Sequence, residues 1–427
     1  MGWPSLAAAF GLRPPRAPRT ARPPGVGTAG HPGAGTAGRR GARAARRGGL
    51  AAAAVTALGV LCTGCGGQAS AAGGDPYTIG LVTSQTGTAS QLGVGELRGA
   101  RLAVDQINRA GGVNGHRLTL RTADDQSNPA QAVLAARKML AQVGAIIGPS
   151  VAGSCNAVAP LATSGHRIDY CLSPGIRPAP GSTTWSSSAD TRALAERLVG
   201  YWHRRGITRI GLLTTTDASG IDGARAVHEA VANEPGMRLT GAAGYDPNAI
   251  SVTPQLQVAG GGHPQALVVW ASGAAAGVAF KGLAQSGSTL PVATTDANLT
   301  FTFMQRIAEY APKTLLIPAT RDFWADQAGG GDAADLVRSY QTAYRHRFRE
   351  QPDFGPGVAY DAVHLFAQAL HSAKGDPEEA VTELSRTSAY QGVLGTYSFA
   401  PSDHRGLGAD DVAVVRATAK GFTYAGR

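Results

Sequence analysis

Between Tyr77 and Asp125 the apolar positions change their period twice. Tyr77-Thr78-Ile79-Gly80-Leu81-Val82-Thr83 is a short apolar run with β-branched residues that stops at Ser84-Gln85-Thr86-Gly87, the pattern of a buried strand entering a loop. From Gln91 onward Ala100, Ala103, Val104 and Ile107 fall at i, i+3, i+4 and i+7 on one helical face, and Arg98, Arg101 and Asp105 lie on the other. Gly111-Gly112 ends this helix, Asn114-Gly115 supplies a turn, and Leu118, Leu120 and Thr122 alternate with polar residues as a second strand. A helix between two strands implies a right-handed crossover and a parallel sheet. Ligands of such sheets bind beyond the carboxyl ends of the strands, so the loops 84–88 and 124–128 are the first places to expect a site.

The alternation continues. Asn128 before Pro129 reads as a helix cap, with a helix to about residue 140, a third strand over 143–147, a helix over 154–163 and a fourth strand over 167–172. Residues 174–190 are rich in Pro, Ser, Thr and Gly without a period, and read as a crossover to a second lobe. The pattern then restarts with helix 191–204, strand 209–213, helix 220–232 and strand 238–243, followed by strand 266–270, helix 274–285 and strand 291–295. Residues 315–318 read as a return crossover, helices over 333–347, 357–373 and 377–386 would pack on the first lobe, and 393–399 and 412–417 read as late strands. The expected fold class is α/β, with doubly wound parallel sheets.

The same stretch carries a resemblance. The runs Gly99-Ala100-Arg101-Leu102-Ala103-Val104-Asp105-Gln106-Ile107-Asn108, Ala110-Gly111-Gly112-Val113-Asn114-Gly115 and Ala123-Asp124-Asp125-Gln126-Ser127-Asn128-Pro129 resemble the extracellular solute-binding proteins of ABC transporters, within them the branched-chain amino acid (leucine/isoleucine/valine) type. Similar wording recurs at Ile146-Ile147-Gly148-Pro149, Ala359-Tyr360-Asp361-Ala362-Val363 and Gly392-Val393-Leu394-Gly395. The resemblance implies the type I periplasmic-binding-protein fold: two α/β lobes joined by three hinge crossovers, with the ligand enclosed between them. Lobe one is expected at 77–185 plus 318–390 and lobe two at 186–317 plus 391–427.

Composition changes the picture at the amino terminus. The chain is 43% hydrophobic and 16% charged, enough apolar residue to bury sizeable cores. Its formal charge of +10 comes mostly from the first 64 residues, which hold nine of the 39 Lys and Arg and no acid, leaving 30 bases against 29 acids. A basic patch for nucleic acid is therefore not supported. Arg39, Arg40, Arg43, Arg46 and Arg47 precede an uncharged Ala/Leu/Val-rich run over 48–61, too short for a spanning helix and typical of an export signal. Leu61-Cys62-Thr63-Gly64-Cys65 resembles a bacterial lipobox, with Cys65 as the lipidated residue and Cys62 in a place where Leu is usual. Arg46-Arg47 also fits a twin-arginine signal, so the export route stays open. The assignment is an export signal with a Pro/Gly/Arg-rich leader at 1–64, and a lipidated tether at 65–76. Cys155 and Cys171 remain for the folded part, and in an oxidising compartment they are expected to pair, closing a loop worth about 3 kcal/mol.

A zwitterionic solute needs donors for a carboxylate and acceptors for an ammonium. The resemblance places the carboxylate loop at Gly148-Pro149-Ser150-Val151-Ala152-Gly153-Ser154, where backbone N–H groups such as those of Ala152 and Gly153 would serve. Val151 and Ala152 stand where hydroxyls are usual, so the side-chain donor is lost or moves to Ser150 or Ser154, or else the small residues simply make a tight strand-to-helix turn. The resemblance also implies a second gripping loop at Ser173-Pro174-Gly175-Ile176-Arg177, with Arg177 able to pair a carboxylate, or else to sit solvated beside the hinge. Asp296 corresponds to the ammonium partner, or caps a helix. Ser219 stands where the family commonly has a stacking Tyr, which leaves a wider or more polar pocket. Trp270, at the end of an apolar strand, is a candidate aromatic wall or ordinary core, and Thr86 a candidate contact or turn former. An enzyme is not expected: Gly148-Pro149-Ser150-Val151-Ala152 lacks the last Gly of the G-x-S-x-G elbow, so a hydrolase using Ser150 with Asp361 and His404 is the weak alternative. His228-Glu229 has no second His at zinc-protease spacing, and no cofactor or metal is expected. The implied role is a monomeric, lipid-anchored receptor that delivers a small polar solute, an amino acid or related amide, to an ABC permease with its ATPases. A ligand sensor feeding a signalling partner is the alternative within the fold.

Overall fold

The computed structural model describes residues 74–418 and 420–427. The expected leader, Cys62, the lipidation site Cys65 and the tether as far as residue 73 lie outside the described residues.

The first sheet has strands β1 (Tyr77–Thr83), β2 (Leu118–Asp124), β3 (Ala145–Ile147), β4 (Ile168–Cys171) and β5 (Thr184–Ser186), in the order β2-β1-β3-β4-β5 with every pair parallel. Helices α1 (Ser90–Arg109), α2 (Pro129–Met139) and α3 (Ala152–Ser164) make the crossovers. The α1 helix forms as its apolar stripe predicts, burying Leu92, Ala100, Ala103, Val104 and Ile107. Asn128 caps α2, its side chain accepting from Ala130 N at 2.8 Å.

The chain then crosses to a second sheet. Helices α4 (Thr191–His203), α5 (Ala218–Asn233), α6 (Thr253–Ala259), α7 (Gly273–Gln285) and α8 (Phe301–Ile307) alternate with β6 (Arg209–Thr215), β7 (Arg238–Tyr245), β8 (Ala266–Trp270), β9 (Val292–Thr294) and β10 (Leu315–Ala319). After β10 come α9 (Asp332–Phe348), α10 (Phe354–Ser372) and α11 (Glu379–Ser385), then the hairpin β11 (Tyr390–Gln391) and β12 (Thr396–Tyr397), and finally β13 (Ala413–Thr418) and β14 (Gly421–Gly426). The second sheet runs β14-β13-β10-β9-β8-β6-β7, parallel from β10 to β7 and antiparallel at β13 and β14. The α10 helix is buried on nearly all sides and lies against α1 in backbone contact: a Cβ at Gly99 would sit 2.0 Å from Pro356 O.

Three expectations are corrected. The aperiodic passage 174–190 contains β5, a three-residue strand paired with β4 through Tyr170 and Trp185; one apolar residue among Ser and Thr leaves no period to read. Residues 315–318 belong to β10, a full member of the second sheet between β9 and β13, and the chain leaves only after Ala319. Residues 393–399 form no strand of their own beyond the two residues of β12. The buried carboxylate of Asp361 takes the Val393 and Leu394 N–H groups at 2.9 Å each, so they are not available to a ladder.

The connections between the lobes are bonded to one another. Tyr397 donates its hydroxyl to Ser187 O at 2.8 Å, with Asp361 Oδ2 3.1 Å away, and Arg321 N donates to Leu394 O at 3.0 Å. Arg321 also pairs with Asp411 at 2.9 Å.

Candidate functional site

The loops at the carboxyl ends of the two sheets touch each other. A Cβ at Gly175, after β4, would lie 3.1 Å from Ser219 Cα in α5, and one at Gly273, opening α7, would lie 3.2 Å from Gln91 Nε2 in α1. Ser188, on the first crossover, donates its hydroxyl to Asp296 Oδ2 at 3.4 Å. The cleft that the resemblance implies between the lobes is therefore bounded by loops of both.

On the first lobe, α3 starts after Val151, an extended residue with no side-chain cap. Among the described residues the N–H groups of Ala152, Gly153 and Ser154 donate to nothing, and the buried Ser154 hydroxyl has no partner. This is an uncompensated helix start of the kind that receives an anion. Ser150 is not part of that offer: its hydroxyl donates to Glu96 Oε2 at 2.5 Å and accepts from Ser84 N at 2.9 Å. Ser84 in turn donates to Asp125 Oδ1 at 2.7 Å. Burial pushes the Glu96 carboxyl up to about 8, against the lowering hydrogen bond from Ser150, and the nearby Asp125 raises it further. Thr86 is exposed, and its hydroxyl donates to Asp124 Oδ2 at 2.6 Å, the role of a turn former. The disulfide Cys155–Cys171, with Cα atoms 5.7 Å apart, joins the first turn of α3 to the end of β4 and so ties the two candidate loops together. Cys155 lies in the first turn of α3, inside the helix expected over 154–163.

Three groups come from the second lobe and its contact. Asp296 is 1% exposed and opens a short turn after β9. Its Oδ1 accepts from Thr295 Oγ1 at 2.8 Å and from Ala297 N at 2.9 Å, and burial pushes the carboxyl up to about 6, which leaves it mostly ionised at neutral pH. Arg177 crosses from the first lobe: its Nε donates to Asp222 Oδ1 on α5 at 2.9 Å. Trp270 is 1% exposed at the end of β8 and pressed against α5, where a Cβ on Gly223 would come within 2.1 Å of the indole, which is the packing of a core residue.

The model of one protein family, described as periplasmic binding protein, matches residues 76–422. The chain belongs to the periplasmic binding protein family. A curated relative, the Leu/Ile/Val-binding protein BraC3 of Rhizobium johnstonii, is 39% identical over 77 residues, which is 18% of this chain and 21% of that protein. The matched stretch is thus about a fifth of the relative's length. Among solved structures, the branched-chain amino acid transporter substrate-binding protein LivJ of Streptococcus pneumoniae, in complex with isoleucine, superposes with a TM-score of 0.68 at 22% identity, over 80% of this chain and 96% of that one. A solute-binding protein of an ABC transporter from Rhodopseudomonas palustris, in complex with 3,4-dihydroxybenzoic acid, gives a TM-score of 0.67 at 18% identity, over 80% and 93%. These likenesses establish the type I fold.

Within this family member, pattern reading overlooked Glu96, Ser188 and Asp222, and reached Asp125 only as part of the loop 124–128. Two of them had a signal. Glu96 stands four residues from both Leu92 and Ala100, on the apolar stripe of α1, and Asp222 stands four before Ala226 on that of α5. A lone acid on a buried stripe marks a polar partner inside. The groups weighed as hydrolase partners are engaged elsewhere: Asp361 holds the hinge, and His404 stacks on Trp185 with ring centroids 4.7 Å apart. Among the described residues no helix is long and apolar enough to cross a membrane, and no cluster of three or more His, Cys, Asp or Glu could hold a metal.

Proposed function

We propose that this protein is an extracytoplasmic, lipid-anchored receptor that captures a small polar solute, an amino acid or a related amide, between its lobes and delivers it to an ABC permease. The observation that carries this reading is the complementarity of the two lobes. Lobe one offers the free N–H groups of Ala152 and Gly153 and the Ser154 hydroxyl, all donors, and lobe two offers the buried acceptor Asp296. Donors suit a carboxylate and the acceptor suits an ammonium or amide N–H. Relatives named as Leu/Ile/Val-binding, and a neighbour of the same fold holding isoleucine, support the amino acid class. Ser219, standing where the resemblance has a stacking Tyr, supports a solute broader or more polar than leucine at that wall. In this reading Gly175 shapes the pocket by close approach, while Thr86 and Trp270 act through the turn and the core beside it.

Thermal unfolding of the purified protein against amino acids, amides, urea, short peptides and simple carboxylates tests the proposal. A solute that binds only the folded state at about 100 times its Kd adds about 2.7 kcal/mol and raises the midpoint. The amino acid or amide class is expected to give the shift, and Asp296→Asn to abolish it. A shift with carboxylates that lack an amine, unaffected by Asp296→Asn, would overturn the assignment of solute class.

A further inference from the structure

The loop after β4 meets α5 through three consecutive residues, each by different chemistry. Gly175 lies flat on Ser219, with Cα, Cβ and Oγ of the serine all 3.1 to 3.2 Å from where a Cβ would be. Ile176, 3% exposed, packs with Ala152, Cys155 and Cys171 in an apolar cluster separate from the main cores, and Ala218, the first residue of α5, packs against the same cluster. Arg177 donates to Asp222 at 2.9 Å. On the lobe-one side the loop is anchored through the disulfide. On the lobe-two side Asp222 is 4% exposed and is also paired with Arg225, three residues along α5. Burial pushes the Asp222 carboxyl up, and the nearby Thr191 hydroxyl, hydrogen bonds from Arg225 and Arg177 and the charge of Arg405 outweigh that and hold it below its ordinary value. The charge on Asp222 is therefore present when the lobes meet, and Arg177, half-exposed, is the group that reaches it from the other lobe.

We propose that this contact is a closure latch that biases the protein toward its closed form before any solute enters, with Arg177 acting through Asp222 and not as a solute ligand. The bias has a direct consequence for affinity. A solute that requires the closed form binds more weakly in proportion to the fraction that is open, so losing the latch lowers apparent affinity by the same factor that it raises opening. An ion pair with one buried partner shifts such an equilibrium about three- to tenfold. Salt weakens it only in part, because Asp222 is shielded from solvent.

Small-angle scattering of the purified, solute-free protein tests this without knowledge of the solute, so the result is independent of the solute class proposed above. Arg177→Ala and Asp222→Asn are each expected to raise the open fraction about three- to tenfold, and the double variant no further, since both remove one interaction. Arg225→Ala, which touches Asp222 from the same helix and bridges nothing, is expected to scatter as the parent does. Arg177 is half-exposed, so its variant keeps the test valid if Asp222→Asn fails to fold. Parent-like scattering from Arg177→Ala, or opening by Arg225→Ala equal to that of Arg177→Ala, would overturn the latch.

Discussion

Glu96 ties together the first-lobe loops through one hydrogen bond to Ser150, and its burial makes stability depend on pH. The folded carboxyl titrates near 8 and the unfolded one near 4.5, so the folded state holds the extra proton between those values. Stability contributed by the protonated form is present below the unfolded value and is lost as pH rises toward 8. Asp322 and Asp353, both pushed up to about 7 by burial, act in the same sense. Buried His364, pushed down to about 3, acts in the opposite sense, and its contribution fades as pH rises past its unfolded value of 6.5. The melting temperature is expected to fall from pH 6.5 to 8.5, and Glu96→Gln, which keeps an oxygen for Ser150 and removes the titration, to flatten that fall. Calorimetry over this range checks it; an unchanged slope in the variant would place the effect elsewhere. At this scale the residue types at the site were legible and their commitments were not. Ser150 looks like a free hydroxyl in the sequence, and only the approach of Glu96, 54 positions away, shows it to be occupied.

At the scale of elements, what reads well is what repeats. The α1 stripe, the Asn128 cap and strand β1 each carry several residues that agree, and all three form as expected. The elements that go unread are short ones whose residues do not agree: β5 has three residues, and α6 and α8 have seven each, whereas β3, β9 and α11 of the same lengths carry an apolar run or stripe and are expected. The Cys155–Cys171 bond belongs to this scale because it fixes one helix to one strand. With its ends 16 positions apart in sequence, it restricts the unfolded chain by an amount worth about 3 kcal/mol. The double change Cys155→Ser with Cys171→Ser is expected to lower the urea midpoint accordingly with little change in slope. A variant that matches the parent in urea would show that packing of Ala152 and Ile176 alone holds the two loops.

For the whole molecule the decisive contacts are those that tie the lobe connections together. Asp361, 0% exposed, accepts from Val393 and Leu394 N–H, with Tyr397 beside it bonded to Ser187. Asp361→Ala would leave two buried N–H groups unpaired and is expected to cost about 2–4 kcal/mol. Denaturation of the variant measures this, and a loss below about 1 kcal/mol would mean that water or a shifted backbone replaces the carboxylate. The motif Ala359-Tyr360-Asp361-Ala362-Val363 contributed to the resemblance, yet nothing in its spacing says that the acid serves the hinge and not the ligand.

The chain's own pattern determined the alternation of strands and helices, the parallel sheets, the near-neutral charge after residue 64 and the family. All of these rest on neighbours in sequence, where side-chain period and turn chemistry act directly. Tertiary structure alone decided that Arg177 meets Asp222, that Ser150 is held by Glu96, that Trp270 lies against Gly223 and that Asp361 takes the donors of Val393 and Leu394. The partners in these pairs stand between 32 and 54 positions apart. Which polar group satisfies which is settled only when burial removes water as the alternative partner.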